Sequence, residues 1–154
     1  MPNNVINIVT VNDDVFSQVK QLMVSGNEIT FNKLIQDNSA DGVGDLLDWR
    51  RENWGTKWDA YESQVDDGIL TFQTAWSAPK PVILKLFGLV PNGWLWEYAC
   101  ECDFTTGCGS VEAIDGELVS PSFNNTEDED IRLGCRLWGM DYDEYMEVWG
   151  AKWR

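Results

Sequence analysis

An α+β fold with one antiparallel sheet is what three features of this 154-residue chain predict. An alternating apolar run opens the chain and gives way at once to a helical periodicity. Two Asp-Gly steps, Asp67-Gly68 and Asp115-Gly116, each separate two β-rich runs, and such steps favour tight hairpins because glycine accepts positive φ. The last amphipathic segment repeats at helical rather than strand spacing.

Asn4 to Val11 alternates Val5, Ile6, Ile8, Val9 and Val11 with polar residues, which predicts a strand. Asn12 or Asp13 then caps a helix carried by Val15, Phe16, Val19, Leu22 and Met23 and ending near Ser25-Gly26. From about 27 to 58 the periodicity weakens through FNKLI and QDNSADGVG to a short helix over Asp45 to Glu52, the composition of an insertion. Asp59 to Val65 and Ile69 to Trp76 read as the two strands of a hairpin. Ser77-Ala78-Pro79 begins a helix through Val82, Ile83, Leu84, Leu86 and Phe87. After the turn Pro91-Asn92-Gly93, the strand Trp94 to Cys102 puts Trp94, Trp96, Tyr98, Cys100 and Cys102 on one face, expected to be the core. Ser110 to Ile114 and Glu117 to Ser120 form the second hairpin, Pro121 to Asp130 an acidic loop, and Asp141 to Trp149 an acidic helix.

Strand, helix, hairpin, helix, strand is the ferredoxin-like βαββαβ order, an antiparallel sheet with helices on one face. Here it carries an insertion after the first helix, an extra C-terminal hairpin and a C-terminal extension from about 121 to 154, all within a single domain over 1–154. Its opening MPNN, the segment FNKLI, the blocks DWRRENWGTKWDAY and FQTAWSAPKPVI, and the later YACEC and CGSVEAIDGELV resemble the YubB-like or Api-like family of plasmid-, phage- and genomic-island-borne proteins. The resemblance spans roughly residues 1 to 120. It implies a ferredoxin-like domain and a mobile-element origin, and it carries no catalytic residue with it.

With 26 acidic and 11 basic residues the chain has a formal charge of −15, unbuffered by any histidine. Direct nucleic-acid binding is disfavoured, because phosphate contacts need lysines and arginines that are scarce here. A protein with a basic surface is the complementary partner. No apolar stretch long enough to cross a membrane and no secretion signal occurs, so a cytoplasmic protein of a bacterial host cell is expected. Without histidine the commonest general base is absent, and no phosphate-binding glycine loop is present, so no enzyme is expected and no cofactor.

Three candidates stand out. In Trp54-Gly55-Thr56-Lys57-Trp58, Lys57 stacked on an indole would meet an anion; the plainer expectation is that both tryptophans are buried while Lys57 neutralises Asp59. Cys100, Cys102, Cys108 and Cys135 invite a zinc reading, but the C-x-C spacing is poor for it, so buried thiols and no metal are expected. The acidic distribution is the strongest signal: from Glu97 to Glu147 fourteen acidic residues face only Arg132 and Arg136. Glu127, Asp128, Glu129 and Asp130, with Asp141, Asp143, Glu144 and Glu147 outside the apolar face of Tyr142, Tyr145, Met146 and Trp149, are the predicted partner-binding residues. Presented like phosphates to a basic groove, and joined to the mobile-element origin that the resemblance implies, they suggest an anti-CRISPR type of inhibitor whose partner is a host defence protein such as a CRISPR effector complex. The alternatives are an accessory protein-binding module of a plasmid or phage with an incidental acidic surface, and a solvated face serving solubility.

Overall fold

The computed structural model describes residues 3–36, 46–101, 104, 107–120 and 127–149. The elements run β1 (Asn4–Val11), α1 (Asp13–Met23), β2 (Val24–Ser25), β3 (Glu28–Ile29), α2 (Leu46–Asn53), β4 (Tyr61–Asp66) and β5 (Ile69–Ala75), then α3 (Lys80–Leu89), β6 (Trp94–Cys100), β7 (Cys108–Ile114), β8 (Glu117–Val119), α4 (Glu127–Trp138) and α5 (Tyr142–Trp149). Six strands form one sheet in the order β4-β5-β1-β6-β7-β8, with every pairing antiparallel, and β2-β3 is a separate two-stranded ribbon. The chain is therefore α+β, with a wider sheet than four strands. Residues 37–44 of the predicted polar stretch 36–44, Asp45 at the start of the predicted second helix, Cys102, and residues 121–126 of the predicted loop Pro121 to Asp130 lie outside the described residues.

Period-two alternation places Val5, Asn7, Val9 and Val11 of β1 on one face, all buried. Leu70 and Phe72 of β5 and Trp94 and Trp96 of β6 join them, and α1 and α3 close the layer with Val19, Met23, Val82, Ile83 and Leu86. The aromatic face of β6 is thus a core face, as its alternation predicts. The insertion also enters this core: Phe31 and Trp54 are both fully buried and meet edge to face. Asp59 ties the insertion to the hairpin, accepting from Thr30 Oγ1 at 2.6 Å and from the amides of Phe31 and Ala60, each at 2.7 Å.

The expectation of helices on one face is overturned. Ile6 and Ile8 of β1 and Ala99 of β6 point to the opposite side, where α4 covers them with Ile131, Leu133, Cys135 and Leu137. No element was expected between Asp130 and Asp141, because Ile131, Leu133, Cys135 and Leu137 alternate with Arg132, Gly134 and Arg136 in a strand-like period. The acidic run Glu127 to Asp130, read as loop, is instead the first turn of this helix, where carboxylates suit the positive end of the helix dipole. On β6, Glu97 lies on the face opposite Trp96, where it is only 8% exposed and accepts from both terminal guanidinium nitrogens of Arg136. Trp138 adds an indole hydrogen bond to the Ala99 carbonyl at 2.9 Å.

Gly134 makes this packing possible, since a Cβ there would lie 2.3 Å from the Phe104 ring, which is itself 1% exposed. Alanine ordinarily stabilises a helix over glycine by about 1 kcal/mol, but overpacking costs about 1–3 kcal/mol. Gly134→Ala is therefore expected to lower the urea midpoint, whereas Gly88→Ala in α3, with nothing within 4 Å of the new Cβ, should raise it.

Candidate functional site

α5 starts on a capping interaction. The Asp141 carboxylate accepts from the Glu144 amide at 3.1 Å, satisfying a donor that has no partner inside the helix. Tyr142, Tyr145 and Met146 then turn inward against the second core layer, and Tyr145 stacks on Phe104 with ring centroids 5.1 Å apart. This inward face is the predicted one as far as its side chains are described; the side chain of Trp149 is not among them.

Asp128 links the two helices. It accepts from the Tyr142 hydroxyl and, at 2.9 Å, from Arg132 Nε, while the Arg132 guanidinium lies 3.8 Å from the Tyr142 ring centroid. The Tyr142 hydrogen bond, followed by that of Arg132, holds the Asp128 carboxyl below its ordinary range, and the same bond pushes the Tyr142 hydroxyl up.

The eight predicted acidic residues thus divide. Asp128 and Asp141 serve the architecture of the layer, Asp130 is half-buried, and its carbonyl shares the Cys108 thiol with that of Phe104. Glu129, Asp143, Glu144 and Glu147 are exposed, and the side chain of Glu127 lies outside the described residues. Both arginines of this region are held internally, Arg132 by Asp128 and Arg136 by Glu97. The layer accordingly keeps a surplus of solvent-facing carboxylate.

Around Lys57 the plainer expectation holds only in part. Trp54 is fully buried, but Trp58 is half-buried and Asp59 is committed to Thr30 and the backbone rather than to Lys57. Lys57 Nζ instead lies 4.6 Å from the Trp58 ring and 4.7 Å from the Trp76 ring, with Arg51 5.4 Å from Trp76. Arg51 and Trp76 escaped the sequence reading because the helix and the hairpin that carry them meet only in three dimensions.

Cys100 and Cys135 are buried, and burial pushes the Cys135 thiol up. Among the described residues no three His, Cys, Asp or Glu side chains gather as a metal site, and no helix is long and apolar enough to cross a membrane. No protein-family model, no curated protein and no solved structure matches the chain.

The pKa directions set a pH window for the Asp128–Tyr142 tie. A depressed carboxyl contributes stability present above its unfolded value and lost as pH falls through the folded one; a raised phenol contributes stability present below about 10 and lost at higher pH. Tyr142→Phe is expected to move the Asp128 carboxyl up toward the usual aspartate value in a carbon-detected NMR titration. An unmoved Asp128 would exclude the tie.

Proposed function

We propose that the protein is a non-enzymatic inhibitor from a phage or other mobile element that binds the basic, nucleic-acid-binding surface of a host defence complex through its α4–α5 layer. The observation that supports this is the charge arithmetic of that layer. Asp143, Glu144 and Glu147 are exposed together with Glu129, while both nearby arginines are already paired. Carboxylates held on two helices keep fixed spacings, as the phosphates of a nucleic acid do, and so meet a basic groove without first being ordered. The mobile-element origin that the resemblance of residues 1 to 120 would imply is compatible with this role, and a CRISPR effector complex is the partner class we favour.

The scaffold reading is part of the same proposal. In the six-stranded order β4-β5-β1-β6-β7-β8, β1 lies between β5 and β6 with the β4–β5 hairpin at one edge, and this placement supports reading β1, β4, β5 and β6 with α1 and α3 as a ferredoxin-like core inside the wider sheet. β7 and β8 are additions at the other edge, and α4 and α5 build a second layer on the open face.

Purified nucleic-acid-guided nuclease complexes provide the test. Binding by the native chain is expected to weaken steeply from about 0.05 to 0.5 M salt and to be displaced by excess guide or target nucleic acid. The combined substitution Asp143→Asn, Glu144→Gln and Glu147→Gln should weaken it at least about tenfold. Binding that ignores both salt and these substitutions would favour the accessory module with an incidental acidic surface.

A further inference from the structure

At the corner opposite in charge to the acidic layer, a cavity of about 520 Å³ opens between the end of α2, the loop at Gly55, and the first turn of α3. Its lining includes the exposed Arg51 and Lys80, the partly exposed Trp76, and Val5, Tyr98 and Cys100 of the two central strands. Lys57 lies against the same indole. We propose that this cavity binds a small phosphate monoester, with the phosphate held by Arg51 and Lys80 and the organic body against the strand wall.

Three observations carry the proposal. First, among the described residues no carboxylate pairs with Arg51, Lys57 or Lys80. In a chain with 26 acidic residues and only 11 basic ones, Arg51 and Lys80 lining one cavity, with Lys57 against its Trp76 indole, gather scarce positive charge where an incoming anion can meet it. The indoles of Trp58 and Trp76 fix where that charge stands, since a cation over a ring face is held by the quadrupole rather than by a counter-ion.

Second, Trp76 adopts φ +77°, a conformation that non-glycine residues rarely take. It is held there by its amide hydrogen bond to the Asn3 carbonyl at 2.8 Å and by Thr74 Oγ1, which donates to the Ser77 carbonyl at 2.8 Å. Such over-determined backbone strain clusters where a protein clamps a ligand. Trp76 remains 39% exposed despite these restraints.

Third, α3 begins at the cavity with no acidic residue in its first turn and no side-chain cap. The positive end of its dipole therefore adds to Arg51 and Lys80 instead of being neutralised. Glycine at 55, with φ +79°, is what lets the loop approach this turn: a Cβ there would lie 2.7 Å from Pro81 Cδ.

The ligand is small rather than polymeric. A net charge of −15 repels an extended polyanion over most of the surface, whereas a single phosphate reaching into the pocket feels mainly the local cations. The volume exceeds that of a lone phosphate ion, which leaves room for an organic body beside Tyr98.

Adenosine monophosphate, inorganic phosphate and adenosine are the probes, read by tryptophan fluorescence and calorimetry. The monophosphate is expected to bind one to one and more tightly than inorganic phosphate, and adenosine alone should not bind. Arg51→Gln and Lys80→Gln should each weaken binding at least about tenfold, while Lys85→Gln, on the same helix but outside the cavity, should leave it unchanged. Circular dichroism confirms that each variant is folded. The absence of saturable binding in the millimolar range, equal binding of adenosine, or equal loss in Lys85→Gln would each overturn the proposal.

Discussion

The side chain of Asn7, wholly buried at the middle of the central strand, is the constraint on which the architecture turns. Its Oδ1 accepts from Trp96 Nε1 at 3.0 Å, and its Nδ2 donates to Thr74 Oγ1 at 3.1 Å and to the Val5 carbonyl at 3.2 Å. One amide thereby joins β6, β1 and β5. A buried amide that loses its partners costs about 1–3 kcal/mol per group, and a slip of one residue would turn Asn7 to the opposite face. Register in all three strands is therefore specified by a polar residue and not by apolar burial alone. The chain of bonds then leaves the core: the Thr74 hydroxyl donates a hydrogen bond to the Ser77 carbonyl, at the bend that presents Trp76.

The second consequence is a separation of charge across the sheet. One face is closed by α1 and α3, and beside α3 stand Arg51, Lys57 and Lys80 without carboxylate partners among the described residues. The other face is closed by α4 and α5, which carry the solvent-facing carboxylates. Among the described residues, Arg51 and Lys80 line one cavity with Lys57 against its Trp76 indole, while Glu129, Asp143, Glu144 and Glu147 stand exposed on the helical layer. Glu97 and Arg136 bind the acidic layer to the sheet, so its position is a property of the fold rather than of a loose tail.

Much of this was legible in the residues. The bounds of β1 follow from its alternation, the β4–β5 hairpin from Asp-Asp-Gly, and the inward face of α5 from the spacing of Tyr142, Tyr145 and Met146. α4 was not, because its apolar residues alternate at period two and a glycine sits in its middle. The ribbon of β2 and β3 is too short to have a period. The exposure of Asp143, Glu144 and Glu147 follows from a helical face, but the capture of Asp128 depends on Tyr142, fourteen residues away. The cationic cavity is invisible for the same reason: Arg51, Lys57, Trp76 and Lys80 belong to separate elements that only the folded sheet brings together.

The central claim is that the core, through Asn7 and Thr74, positions the Trp76 corner. Thr74→Val tests it most directly, since valine keeps the shape of the side chain and removes only the hydroxyl. The account predicts that the indole NMR signal of Trp76 shifts and broadens as Ser77 is released, while those of Trp54 and Trp94, bonded to the Ile35 and Val90 carbonyls, stay where they were. A Trp76 signal identical to that of the native chain would contradict it.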